Sequence, residues 1–217
     1  MATKSTVKRK SNVRKKKKQI KRSSRSSVGQ YKNLIIGGMG AILVILLIVL
    51  LVKGCGGVSN GSPQGVVKSL VKAGVAGKEK EMKKCYGAGT EISADLQAEI
   101  TASVKYYKAH NPKKVTVSKC DVLATYDKYT YVYITYNLVL ENEQAYPRIE
   151  TFMVGKKDKD YYVLPSSEIT EEMNQQAAAD YAKFMTSDVY KQYTKDYDAF
   201  IKKNPGYEDK IAGKLMA

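Results

Sequence analysis

The chain has 217 residues and a formal charge of +16, a balance that ordinarily points to nucleic acid because Lys and Arg arrays gain affinity by releasing phosphate counterions. The charge is segregated, however: residues 1–32 hold 13 Lys or Arg and no Asp or Glu, leaving +3 for residues 33–217. That placement sets nucleic acid aside as the first partner and points to membrane topology.

Residues 1–32 read as a disordered cytoplasmic tail. Arg14, Lys15, Lys16, Lys17, Lys18, Lys21, Arg22 and Arg25 are expected at the membrane surface. Each contributes at most about 1 kcal/mol of attraction to anionic headgroups. Arg14 to Lys18 read alone would pass as a nuclear-import or nucleic-acid patch, but the apolar run beside it argues against that use. Phosphorylation of Ser23, Ser24, Ser26 and Ser27 would weaken the headgroup attraction.

From Leu34 to Val52, 19 residues carry no polar side chain, and 14 of them are Leu, Ile or Val. Such a helix is about 28 Å long, close to the hydrocarbon thickness of a bilayer. Residues 33–53 are therefore expected to form a single transmembrane helix. Lys and Arg concentrate upstream and only Lys53 follows directly, so the N-terminus is expected in the cytoplasm and the C-terminus outside. A cleaved signal sequence is the competing reading; the span and its basic flank are longer than that pattern. Leu51-Val52-Lys53-Gly54-Cys55 also resembles a lipobox, with Lys53 departing from it, which leaves lipidation at Cys55 as an alternative. Gly37 and Ala41 have the small-xxx-small spacing that lets two spans approach as a homodimer.

Residues 54–61 form a Gly/Ser linker. Ser62-Pro63 then supplies an N-cap and a first-turn proline, and Val66, Val67, Leu70, Val71 and Val75 recur on one face, predicting a helix that ends near Gly77. A short helix through Met82 to Tyr86 and a longer one from Ser93 to His110 follow, the latter closed by Asn111-Pro112.

The periodicity then alternates. Val115–Leu123, Tyr129–Leu140, Arg148–Gly155 and Asp160–Leu164 read as strands of an antiparallel meander. In the second strand Val132, Ile134, Tyr136 and Leu138 form one face and Tyr129, Tyr131, Tyr133 and Thr135 the other, so both faces are apolar or aromatic. The fold class expected is α+β: N-terminal helices packed on a curved antiparallel sheet over residues 62–165. This element order, opened by Ser62-Pro63-Gln64-Gly65-Val66-Val67-Lys68-Ser69-Leu70, resembles the nuclear-transport-factor-2-like, cystatin-like cone fold of small bacterial extracytoplasmic domains.

Residues 166–217 extend that pattern as a C-terminal helical region. Ser167 is expected to cap a helix reaching Met185, and Ser187 a second over Asp188–Lys203; Asn204-Pro205-Gly206 precedes a last short helix. Their aromatic stripe, including Phe184, Tyr193, Tyr197 and Phe200, is expected to pack on the sheet's second face or on another helix.

Little here reads as chemistry. The only histidine, His110, falls at a predicted helix end and reads as a surface or capping residue, which sets aside Ser-His-Asp, Cys-His and most zinc sets. The resemblance implies a cavity between sheet and helices; Asp121, Asp127, Tyr129, Tyr131 and Tyr133 are the candidates to line it. No catalytic residue, metal ligand or cofactor is assigned. Cys85 and Cys120 lie on the oxidising side in this topology; they either pair or remain partly buried thiols. The 17 tyrosines suit half-buried strands or a binding surface.

The expected function is a non-enzymatic, membrane-anchored interaction module of the bacterial cell envelope with an envelope-protein partner. The layout resembles single-pass subunits of conjugation or secretion machines. The alternatives are a cone domain that binds or converts a small molecule, and a surface lipoprotein processed at Cys55.

Overall fold

The computed structural model describes residues 57–89 and 91–217. The basic tail, the apolar run Leu34–Val52 and Cys55 lie outside the described residues, and with them the expectations of a span, headgroup contact, homodimerisation and lipidation. Among the described residues no helix is long and apolar enough to cross a membrane.

Three helices come first: α1 (Pro63–Val75), α2 (Glu79–Cys85) and α3 (Ala94–His110). Ser62 caps α1 by accepting from the Gly65 amide at 3.1 Å, with Pro63 in the first turn where its missing N–H costs nothing. Ser93 caps α3 in the same way, and Asn111, in the left-handed conformation, closes it. Gly74 lets α1 and α3 approach: a Cβ there would sit 2.6 Å from the Tyr107 ring.

Four strands follow in a meander ordered β1-β2-β3-β4: β1 (Lys114–Thr125), β2 (Thr130–Val139), β3 (Ala145–Lys157) and β4 (Asp160–Val163). Register shifts at Val117/Lys119 and Val122/Ala124 mark bulges in β1, the local device that bends and twists a sheet. The even-numbered row of β2, with Val132, Ile134, Tyr136 and Leu138, joins Val66, Val67, Leu70, Met82 and Ile100 of the helices in the main core. The odd-numbered row faces away. Tyr129 and Tyr131 pack there with Met153, Leu164 and Ala177 in a second, smaller cluster.

The first helix of the C-terminal extension covers that second face, while Tyr197, Phe200 and Ile201 of the aromatic stripe join the main core instead. The extension comprises α4 (Glu171–Met185), α5 (Asp188–Lys203) and α6 (Tyr207–Met216). Phe184 of α4 sits 4.5 Å, centroid to centroid, from Tyr133. Because β4 pairs only with Val154–Lys157, the first half of β3 lacks a strand partner on that side, and α5 packs on β3 instead. α5 ends with Phe200 against Tyr146 of the inner face. α6 then docks on α3 by mutual capping: Lys214 Nζ donates to the Ala109 carbonyl and Lys105 Nζ to that of Leu215, both at 2.7 Å.

One boundary differs from expectation. Ser167 lies inside a single 3-10 turn, Ser166–Glu168, and the cap of α4 is Thr170, whose hydroxyl accepts from the Met173 amide. The chain stays extended at Ile169 after that turn, so an α-helix cannot begin until the next hydroxyl residue.

Candidate functional site

Between α3, the first two helices and the inner face of the sheet lies an open cavity of about 360 Å³. Leu70, Val71, Met82 and Phe152 form its apolar part. Its polar part comes from Arg148 and Glu150 of β3 with Tyr106 and Tyr107 of α3. The strand places the two charges inside by parity: Arg148 stands opposite Tyr136, and Glu150 opposite Ile134, both in the inner row of β2.

The charges are built into a network. Arg148 Nη2 donates to Glu150 Oε1 at 2.9 Å, and the Tyr136 hydroxyl donates to the same oxygen at 2.8 Å. The Tyr136 and Tyr107 hydroxyls lie 3.1 Å apart. The guanidinium also sits 4.9 Å from the centre of the Tyr106 ring, in cation–π geometry. Burial opposes the Arg148 charge, but the Glu150 carboxylate together with the Tyr136 and Tyr106 hydroxyls more than offsets it, and the guanidinium is held above its usual range. Burial, reinforced by Glu150, raises the Tyr136 and Tyr107 hydroxyls well above ordinary phenols. These groups are donors and acceptors over the whole physiological range. About a quarter of each charged side chain is exposed, and Arg148 Nε is buried without a hydrogen-bond partner in the protein.

Beside the cavity is an aromatic cage around His110. Its ring stacks on Tyr146 at 4.7 Å and lies 4.6 Å from Tyr106, while Nδ1 is 2.8 Å from the Tyr207 hydroxyl of α6. His110 is thus a buried residue, only 5% exposed, and the surface or capping reading is corrected. His110 is the last residue of α3, but α6 and β3 close over the ring. Burial, then the nearby Arg148 charge, lowers its pKa to about 4, so the ring is neutral at pH 7. Glu208 of α6 completes the cage by accepting from Tyr146 at 2.7 Å and Tyr197 at 2.9 Å.

The other candidates go elsewhere. Tyr129, Tyr131 and Tyr133 belong to the outer row and pack toward α4, so the cavity's tyrosines are Tyr86, Tyr106 and Tyr107. Asp121 is exposed within β1 and accepts from the Val122 amide, while Asp127 is exposed in the β1–β2 turn. Cys85 and Cys120 are free thiols, of the two alternatives the unpaired one. Burial pushes Cys85 up to about 12 and Cys120 up to about 11. Both are poor nucleophiles at neutral pH. Arg148 and Glu150 were missed as site residues although a signal was present: they share the parity of Phe152 and Val154 in a predicted strand, which puts two charges in an apolar row.

Among the described residues no group of three His, Cys, Asp or Glu side chains is arranged to hold a metal. No family model and no curated protein matches the chain. Among solved structures, part of it is similar to a crystal structure from Campylobacter jejuni whose assignment as an NTF2-like transpeptidase is itself provisional. The match is 16% identical with a TM-score of 0.33, covering 48% of this chain and 97% of the other. The described residues themselves form an α+β fold of four antiparallel strands and helices.

Proposed function

We propose that residues 62–217 are a non-catalytic binding domain, held outside the bacterial cell membrane by the span Leu34–Val52, and that the inner cavity takes its ligand. The apolar span and the segregated basic tail support the tether. The observation that carries the binding reading is the partly exposed Arg148–Glu150 pair beside the aliphatic and tyrosine lining of an open cavity. An open concavity with an apolar body and a few fixed polar groups is the usual form of a small-molecule site. The arrangement suits a small amphipathic ligand, or an exposed group of an envelope protein, that offers an acceptor to Arg148 and an apolar body to Leu70, Val71, Met82 and Phe152. The tyrosine and arginine hydroxyls and N–H groups serve recognition, since none is poised to exchange a proton near neutral pH.

The test is a fragment screen by ligand-observed NMR on the full chain in nanodiscs, repeated with Ala102→Trp. Ala102 is exposed on α3 and lines the cavity, so a tryptophan there fills the space without disturbing the core. Carboxylate- or carbonyl-bearing apolar fragments are expected to bind the native chain and to lose binding in Ala102→Trp. Fragments that bind both proteins equally would overturn the reading.

A further inference from the structure

A second concave region lies along α5, and it meets the inner cavity only at Arg148, which lines both. α5 and the residues of β2 and β3 around Asn137 and Pro147 bound two open cavities of about 420 and 440 Å³. Asn137, Pro147 and Asp196 line both, so the two form one continuous groove. Asn137 and Pro147 are directly opposed in the sheet register, which makes them the floor at its midpoint.

Carboxamides recur along the lining, Asn137, Gln144 and Asn204 in one half and Asn137 again with Gln192 in the other, beside one cation in each, Lys203 and Arg148. Asp188 and Asp196 add carboxylates, and Tyr193 and Phe200 add ring surface. Part of this polarity is used internally, as Gln192 Nε2 donates to Asp196 Oδ1 at 2.8 Å and Asn204 Nδ2 to the Phe200 carbonyl at 2.9 Å. Gln144 Oε1, in contrast, is buried with no hydrogen-bond partner in the protein. A buried acceptor left unpaired is costly, and native structures seldom keep one without a use.

We infer that this groove binds an extended glycan bearing acetamido groups. A carboxamide pairs a donor with an acceptor at fixed spacing, and an acetamido group offers the complementary pair. Sugar hydroxyls both donate and accept, which suits the two carboxylates, while the rings supply the apolar contact that sugar faces make. Two cavities in line suit a chain rather than a compact molecule. Other extended polymers fit less well. Asp188 and Asp196 balance Lys203 and Arg148 in the lining, which leaves no net positive charge to attract a phosphate backbone. A peptide adding as a strand would need the free edge of β3, where α5 already packs. A lipid chain would strand the carboxamides.

The experiment is saturation-transfer NMR on the full chain in nanodiscs with two probes, the β-1,4-linked hexasaccharide of N-acetylglucosamine and maltohexaose. The first should bind, and the second about tenfold more weakly for loss of the amide hydrogen bonds. Asp196 is exposed and lines both halves, so Asp196→Lys should weaken the first probe by about tenfold or more while circular dichroism shows an intact fold. Ala102→Trp, which fills only the inner cavity, should bind it as the native chain does. No signal from the N-acetylglucosamine hexamer, equal binding of the two sugars, or native binding by Asp196→Lys would each overturn the inference.

Discussion

The two faces of β2 are made by one strand and covered in different ways. On the inner face, α1 alone buries Val66, Val67, Leu70, Val71, Ala73 and Gly74, and aliphatic side chains interlock with the even row. On the outer face, α4 buries only Ala177 and Phe184, and ring-to-ring contact replaces aliphatic packing, while the one residue α5 buries, Phe200, joins the inner core at the sheet edge. The inner layer is the foundation of the fold, and the outer layer is a cover that rests on it. The cover opens more readily because it has less apolar surface to expose.

That contrast is broken most directly by cavity-forming substitutions on the two rows. Ile134 is fully buried in the inner row, and Ile134→Ala should cost about 2–5 kcal/mol of global stability in urea unfolding. Phe184→Ala on the outer side should cost less globally and instead raise hydrogen exchange selectively in α4 and α5. Equal losses with no selective exchange would mean that the cover is integral to the fold.

The difference between the faces was partly legible. The alternation in Tyr129–Leu140 showed that both faces needed partners, and Ser62-Pro63 and Ser187 marked helix starts that the structure repeats. Local signals of this kind depend on backbone chemistry a few residues apart. What could not be read was long-range: which parity faced the helices, where His110 would be enclosed, and that β4 is too short to pair the first half of β3. The expected cavity tyrosines went to the wrong row for that reason. Ser167 failed differently, since Ser166 precedes it and Thr170 follows three residues on, and only the extended backbone at Ile169 selects Thr170.

The inner face also contains the one ion pair with both partners mostly buried among the described residues. Glu150→Gln leaves the Arg148 charge with a neutral partner in that setting, and should cost about 2–3 kcal/mol, below the full penalty for a deeply buried pair because a quarter of each side chain meets solvent. Arg148→Met in the same chain should recover part of the loss, and the double-mutant cycle measures the coupling. A fully additive cycle would show that the network does not act as a unit and would weaken its role in the cavity.

The smallest expected effect sits where foundation and cover meet. His110 belongs to α3, stacks on Tyr146 of the sheet and bonds Tyr207 of α6, so its charge state bears on how the cover is held. The groups around it oppose one another: Arg148 and Lys214 disfavour its protonation, and Glu208 favours it. Its folded pKa, near 4, lies below the value of about 6.5 in an unfolded chain, so the unfolded state binds more protons between those limits. The stabilisation is complete above about pH 6.5 and is lost as the pH falls toward 4. With allowance for solvent near the cage, the loss at pH 5 is about 1 kcal/mol. His110→Phe keeps the ring stacking and cannot titrate, so urea midpoints measured from pH 7 to 4.5 should fall less steeply than in the native chain. Parallel slopes would place the acid sensitivity in the carboxylates instead. Because the Tyr207 bond is the direct link from His110 to the cover, exchange in α6 should rise first as the native chain is acidified, ahead of α1.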